Sequence, residues 1–191
     1  MNNPIRGLIQ KRLEAPRLKN LCNGRTDTIL EIGCGQGAGA RIIYDLFSPQ
    51  RYVGIDLDSK MVARAKKKQH GLDNALFLQG DAAQLPFIDS TFDLAIDFGI
   101  IHHIPNWRDA LAELYRTLNA NGELFFEELP VETWERGIGK PLKGLLEHPY
   151  EEMFRLSEFV RELERLGFEV EMYEDSLVSL YYFWGRARKT H

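Results

Sequence analysis

The sequence predicts an α/β fold: a doubly wound, seven-stranded, mostly parallel sheet with an antiparallel C-terminal strand. Three observations carry this. From Thr28 onward, short apolar runs alternate with amphipathic helical stretches. A glycine-rich turn, Gly33–Gly37, joins the first run to the first helical stretch. The chain ends in two strand-like runs with only a short turn between them, which makes a hairpin.

The elements follow in order. Residues 1–25 carry Arg6, Lys11, Arg12, Arg17, Lys19 and Arg25 against one acid, Glu14. Ile5, Leu8, Ile9 and Leu13 recur there at helical spacing, so an amphipathic helix lying on the domain is expected; a membrane-surface, targeting or partner helix is the other reading. Thr28–Ile32, Tyr52–Asp56, Ala75–Gln79, Phe92–Phe98 and Glu123–Glu127 read as strands. Ala38–Phe47 puts Ile42, Ile43, Leu46 and Phe47 on one helical face. Asp58–His70 reads as a helix with Asp58 or Ser59 as N-cap. Trp107–Leu118 aligns Trp107, Leu111, Leu114 and Leu118 in a stripe. Residues 129–157 break the rhythm with glycines and prolines and read as a cap, with a short helix around Leu142–Glu147. Leu156–Leu166 is helical, Gly167 is its C-cap, and Phe168–Tyr173 and Leu180–Ala187 form the hairpin. The run from Tyr181 to Lys189 reads as a buried edge strand with a basic tail.

Bulk properties limit the function classes. A chain of 191 residues favours one domain spanning 1–191. The net charge of −4 argues against a nucleic-acid groove. Two cysteines, Cys22 and Cys34, lack C-x-x-C spacing, which favours a reducing, cytoplasmic setting. No apolar run approaches the ~20 residues that span a bilayer. The N-terminus lacks the apolar core of a secretory leader. No metal ligand set is expected, because adjacent His102 and His103 rarely chelate one ion and no third ligand is evident.

Gly33-Cys34-Gly35-Gln36-Gly37-Ala38 fits the dinucleotide pattern G-x-G-x-x-A, and with Glu31 it also fits E-x-G-x-G-x-G. Both patterns need backbone close to a ligand, with helix N–H groups favouring negative charge. Asp56, 19 residues after Gly37, ends the second strand, where a carboxylate can accept both ribose hydroxyls. Glu31 separates the readings. Inside a buried strand it needs a cationic ligand or loop N–H donors, and a pyrophosphate would make its burial worse. Asp81 and Ala82 follow the third strand, where a carboxylate can accept from an adenine amine, with Leu57 packing on the ring. The little chain beyond a dinucleotide-binding half also counts against a dehydrogenase.

These segments, with Gly54-Ile55-Asp56, Gln79–Phe87, Phe92–Ile96, Glu113–Leu118 and Asn121–Leu124, occur in the order and spacing of a family. The chain resembles the class I S-adenosylmethionine-dependent methyltransferases, nearest in flavour to the ubiquinone/menaquinone-biosynthesis group. The resemblance is strong over 26–130. It implies a Rossmann-like methyltransferase fold, S-adenosylmethionine as cofactor and S-adenosylhomocysteine as product. It implies that Gly33, Gly35 and Gly37 line the methionine and ribose moieties and that Glu31 acts through the loop. Asp56 meets the ribose, Asp81 and Ala82 the adenine, and Asp97 and Phe98 the methionine end. The run after the fourth strand, "DFGIIHHI", lacks the N/D-P-P-Y pattern of amide and adenine methylators.

Methyl transfer mainly requires positioning, with a base only if the nucleophile must lose a proton. His102 and His103 are the candidates, with His103 favoured by resemblance and the two expected to point about 100° apart as on a helical turn. The cap, with Trp134, His148, Tyr150, Met153 and Phe154, suggests an apolar or aromatic small-molecule acceptor, or simply plugs the fold. The rival function is a methyltransferase-fold binding or scaffold protein without catalysis. The acceptor and the oligomeric state are not read from the sequence.

Overall fold

The strands assemble in the order β3-β2-β1-β4-β5-β7-β6. In this computed structural model, residues 15–72, 74–135, 153–177 and 180–190 are described. The elements are α1 (Ala15–Leu21), β1 (Thr28–Ile32), α2 (Ala38–Phe47), β2 (Arg51–Asp56), α3 (Ser59–Lys68), β3 (Ala75–Gln79) and β4 (Phe92–Asp97). A 3-10 turn (Ile101–His103), α4 (Trp107–Thr117), β5 (Leu118–Glu128), α5 (Val131–Glu135), α6 (Leu156–Leu166), β6 (Phe168–Leu177) and β7 (Leu180–Lys189) follow. The first five strands are mutually parallel. β7 runs antiparallel to both neighbours, β5 and β6.

Alternation along each strand sorts side chains to two faces. One face buries Ile29, Leu94, Ile96, Phe125, Tyr52 and Phe77 under α1, α2 and α3. The other buries Leu30, Ile32, Ala95, Leu124, Phe126 and Phe183 under α4 and α6. The chain order reverses between β1 and β4, which pair with Ile32 opposite Asp97. Ligands of open α/β sheets bind at the carboxyl ends beside such a switch point.

Several boundaries differ from expectation. Asp58 is the N-cap of α3, its side chain accepting from the Lys60 N–H at 2.8 Å; the helix ends at Lys68, two residues early. α4 stops at Thr117, and Leu118 already has extended backbone (φ −74°, ψ 139°). β5 therefore starts five residues before the expected Glu123. Its register against β4 shifts between Phe92/Leu118 and Leu94/Glu123, where Asn121 takes φ 62°. Such a bulge hides from a search for strict alternation.

The last strand is not an edge. β7 is interior and β6 is the edge. Nor is its basic end a free tail. Lys189 is buried and donates to the carbonyls of Tyr115 and Leu118 at 2.8 Å each, capping the end of α4.

In the cap, Val131–Glu135 is helical, Trp134 and Met153 are buried, and Phe154 sits in an aromatic cluster with Trp107, Phe159 and Phe183. These residues plug the core. His148, Tyr150 and the expected helix at 142–147 lie outside the described residues, as do Ile5, Leu8, Ile9 and Leu13. No helix among the described residues is long and apolar enough to cross a membrane.

Candidate functional site

The carboxyl ends of β1, β2, β4 and β5 carry two clusters of acids that differ in kind. The first surrounds the glycine turn. Gly33, Gly35 and Gly37 all have positive φ, at 61°, 53° and 83°. Their surroundings differ. A Cβ on Gly33 would lie 2.5 Å from Ile100, so that glycine lets two elements of the protein meet. A Cβ on Gly37 would lie 3.3 Å from Ala65 of α3. Apart from its chain neighbours, Gly35 has no atom within 4 Å of that position, so here the turn faces open space.

Asp56 holds this turn. Its Oδ2 accepts the Gly35 N–H at 2.8 Å and its Oδ1 accepts the Asp58 N–H at 2.9 Å. Each oxygen keeps a second lone pair. Leu57, next in the chain, is 71% exposed, an apolar side chain in solvent beside a half-buried carboxylate. Asp81 is exposed and folds back on its own turn, its Oδ1 accepting the Ala83 N–H at 2.9 Å. Ala82 packs on the core below it. Arg116 and Glu113 brace the following segment: Arg116 donates to the Leu85 and Phe87 carbonyls, and Glu113 accepts the Leu85 N–H. Cys34 is buried within the turn, and burial pushes its thiol well up, so it is no nucleophile near neutral pH.

Glu31 is 3% exposed. Its Oε2 accepts the Tyr52 hydroxyl at 2.5 Å, and it packs on Gly39 of α2, where a Cβ would lie 2.2 Å from Oε1. Burial pushes its carboxyl up to about 8, against the Tyr52 hydrogen bond and with the help of Asp56 and Asp97.

The second cluster joins β4, the 3-10 turn and β5. Asp97 and Glu128 are 0% and 1% exposed, and His102 is 5% exposed. The His102 ring, through Nδ1, hydrogen-bonds Glu128 Oε2. Glu128 also accepts the N–H groups of Ile101 (2.6 Å), His102 (3.3 Å) and Leu129 (3.2 Å). Asp97 Oδ1 accepts the Ile100 N–H at 2.9 Å. Its Oδ2 is buried without a hydrogen-bond donor, and its carboxyl faces that of Glu128. Burial, then Glu128, hold the Asp97 carboxyl well above the usual range; burial lifts Glu128 to about 7. The N–H donors on Glu128 pull the other way, toward its carboxylate form.

His103 does not point away from His102. The 3-10 turn leaves the two rings in contact, with centroids 4.2 Å apart and planes at 36°, and His103 is the less buried. Phe98 lies past the end of β4 and packs edge-on against Phe125, on the other side of the sheet from Asp97. Among the described residues, no three His, Cys, Asp or Glu side chains are grouped to hold a metal ion.

Residues 30–126, half of the chain, match the family model described as methyltransferase domain. The chain belongs to the class I S-adenosylmethionine-dependent methyltransferases. The family's cofactor is S-adenosylmethionine, which leaves as S-adenosylhomocysteine. Among curated relatives, the phthiotriol/phenolphthiotriol dimycocerosates methyltransferase of Mycobacterium tuberculosis is 34% identical over 122 residues, covering 61% of this chain and 45% of that one. The fatty-acid O-methyltransferase of Mycolicibacterium smegmatis is 33% identical over 122 residues, covering 61% and 44%. The chain thus spans under half the length of these relatives. A Haloferax volcanii putative methyltransferase, solved with the Trm112 activator, shares the fold with a TM-score of 0.79 at 18% identity, covering 98% of this chain and 93% of that one.

Within this methyltransferase, the turn, Asp56 and Leu57 meet at the β1–β2 end, while Asp97 joins the second cluster. Two residues were missed by sequence reasoning. Tyr52 read only as a strand residue, although a tyrosine facing a buried acid on the next strand is a natural partner. Glu128 lies one residue past the expected strand end and 26 residues from His102; a second acid after Glu127 was the only signal.

Proposed function

We propose that this chain transfers the methyl group of S-adenosylmethionine to a small-molecule acceptor with an apolar body. The observation that carries the reading is the buried Asp97–Glu128–His102 cluster beside the open glycine turn.

The residues fit the cofactor. Gly35 leaves room for close approach, and Asp56 keeps lone pairs for ribose hydroxyls. Exposed Leu57 offers a flat base an apolar cover, with Asp81 and Ala82 at the same end. Glu31, Asp97 and Phe98, with Gly33 and Gly37 shaping the turn, serve the methionine end. When bound, the cofactor supplies a methyl carbon already activated on a sulfonium. The chain's task is to hold the acceptor in line, exclude water and manage a proton. Glu128, accepting from Nδ1–H, fixes the tautomer in which His102 Nε2 is the basic nitrogen. His102, not His103, is the base in this reading, and His103 supports its ring. The apolar acceptor is suggested by the relatives' names, one with dimycocerosates and one with fatty acid.

Calorimetry with S-adenosylmethionine and S-adenosylhomocysteine, followed by a release assay, tests this. Binding with turnover is expected. No heat with either compound would sink the proposal, and binding without turnover on any acceptor would favour the scaffold reading.

A further inference from the structure

Every other described helix of ten residues or more mixes both signs of charge, and α3 does not. It holds Lys60, Arg64, Lys66, Lys67 and Lys68 and no acid, in a chain whose net charge is −4. All five cations are exposed. Val62 and Ala65 are buried on the inner side of the helix. Lys60, Arg64 and Lys67, spaced i, i+4 and i+7, form a stripe on its outer side. Arg41 of α2 donates to the His70 carbonyl at 2.8 Å, which sets a sixth cation beside the end of α3. Among the described residues, none of the five cations of α3 forms an ion pair. The helices on the other face of the sheet are built differently. Arg116 of α4 pairs with Glu113, and Arg165 of α6 pairs with Glu162.

Helix stability does not account for this pattern. Lys66, Lys67 and Lys68 suit the negative end of the helix dipole, but Lys60 lies in the first turn, where a cation is unfavourable. Lys60 with Arg64, and Arg64 with Lys68, are like-charge neighbours at i, i+4, which weakens the helix. The arrangement costs stability in the free protein and is relieved only when an anionic partner approaches.

We propose that the outer face of α3 docks this methyltransferase on an anionic lipid bilayer surface. The stripe runs about 10 Å along the helix. It lies on a convex surface, unlike the grooves that follow a nucleic-acid backbone. Against a flat field of anionic headgroups each cation adds about fivefold to binding. The choice of a lipid anion rests on the apolar-bodied acceptor proposed above, because such an acceptor partitions into a bilayer. Both ends of α3 connect this face to the site. Asp58, the N-cap, gives its N–H to Asp56, and Lys68 donates to Gln36 Oε1 in the glycine turn. Docking through α3 therefore holds the β1–β2 end of the site beside the membrane.

The test is vesicle flotation of the full chain. Vesicles of phosphatidylcholine with about 30% phosphatidylglycerol are compared with pure phosphatidylcholine, at about 50 mM and about 500 mM salt. Binding to the anionic vesicles at low salt is expected, with loss at high salt and none on the neutral vesicles. Lys60→Gln with Lys67→Gln should weaken it about 25-fold, with thermal melting and S-adenosylmethionine affinity unchanged. Arg108→Gln with Arg161→Gln removes two exposed cations from the other face and should leave vesicle binding within about twofold. No flotation with anionic vesicles, equal flotation with neutral ones, or a Lys60→Gln/Lys67→Gln protein that floats like wild type overturns the inference. Binding of duplex DNA, by fluorescence anisotropy, at protein concentrations that leave the vesicles unbound also overturns it. The methyl-transfer reading fails separately. Vesicle binding without calorimetric heat from S-adenosylmethionine removes that reading and leaves the docking face standing; heat without vesicle binding does the reverse.

Discussion

The two acid clusters sit at the same end of one sheet and are built on opposite terms. At the β1–β2 end, Asp56 is half-buried and spends its oxygens on two backbone N–H groups, leaving its charge near solvent. At the β4–β5 end, Asp97 and Glu128 are sealed from water and spend theirs on each other, a histidine and the turn above. The first arrangement holds a carboxylate rigid with lone pairs to spare, which suits holding neutral hydroxyls. The second raises both carboxyls above their usual range, Glu128 to about 7, which suits moving a proton. In the proposed reading, binding and chemistry are thus divided between the two sides of the switch point.

The largest effect that probes this division is expected from His102→Asn. Turnover should fall about 100-fold, the scale of a lost general base, with cofactor affinity within twofold by calorimetry. A parallel loss of affinity would erase the distinction between the ends. Next comes Asp56→Ala, which removes the acceptor of the Gly35 and Asp58 N–H groups as well as the ribose partner. It should weaken cofactor binding by about 1.5–3 kcal/mol, and unchanged affinity would show that the β1–β2 end does not bind the ribose.

A third prediction concerns stability. Glu31 titrates near 8 in the fold, far above its value in an unfolded chain. Between those values the folded state holds a proton that the unfolded state has lost. Stability must therefore fall as pH rises through that window, by about 1.4 kcal/mol per pH unit. Denaturant titrations of wild type and Glu31→Gln would show a slope in the first and a flatter line in the second; identical slopes would mean that Glu31 is ionised in the fold. The smallest effect is expected from Leu57→Ala. A side chain this exposed adds little to folding, so stability should move by less than about 0.5 kcal/mol. A two- to fivefold loss of cofactor affinity would mark its contact with the base, and no loss would remove Leu57 from the site.

The sequence disclosed the β1–β2 end far better than the β4–β5 end, for a physical reason. A glycine turn, the acid ending the next strand and the hairpin signal are local patterns, and each survived in place. The three glycines looked alike in sequence, yet only Gly35 faces open space, because what surrounds a backbone is a tertiary matter. Strand ends were also less legible where Asn121 interrupts β5. Glu128 and His102 could not be paired from the sequence, since only the parallel register of β4 and β5 brings them together. His102 and His103 lie on a 3-10 turn with their rings tilted and in contact, a geometry that helical spacing does not describe.

The most direct measurement is therefore on Glu128, a residue distant from the glycine turn in sequence and hydrogen-bonded to the ring held to be the base. Cofactor affinity and methyl transfer should be measured side by side for wild type and Glu128→Gln, with folding checked by thermal melting. The account predicts an S-adenosylmethionine Kd within twofold of wild type and turnover lowered about 100-fold. Wild-type turnover in a folded Glu128→Gln protein would contradict it.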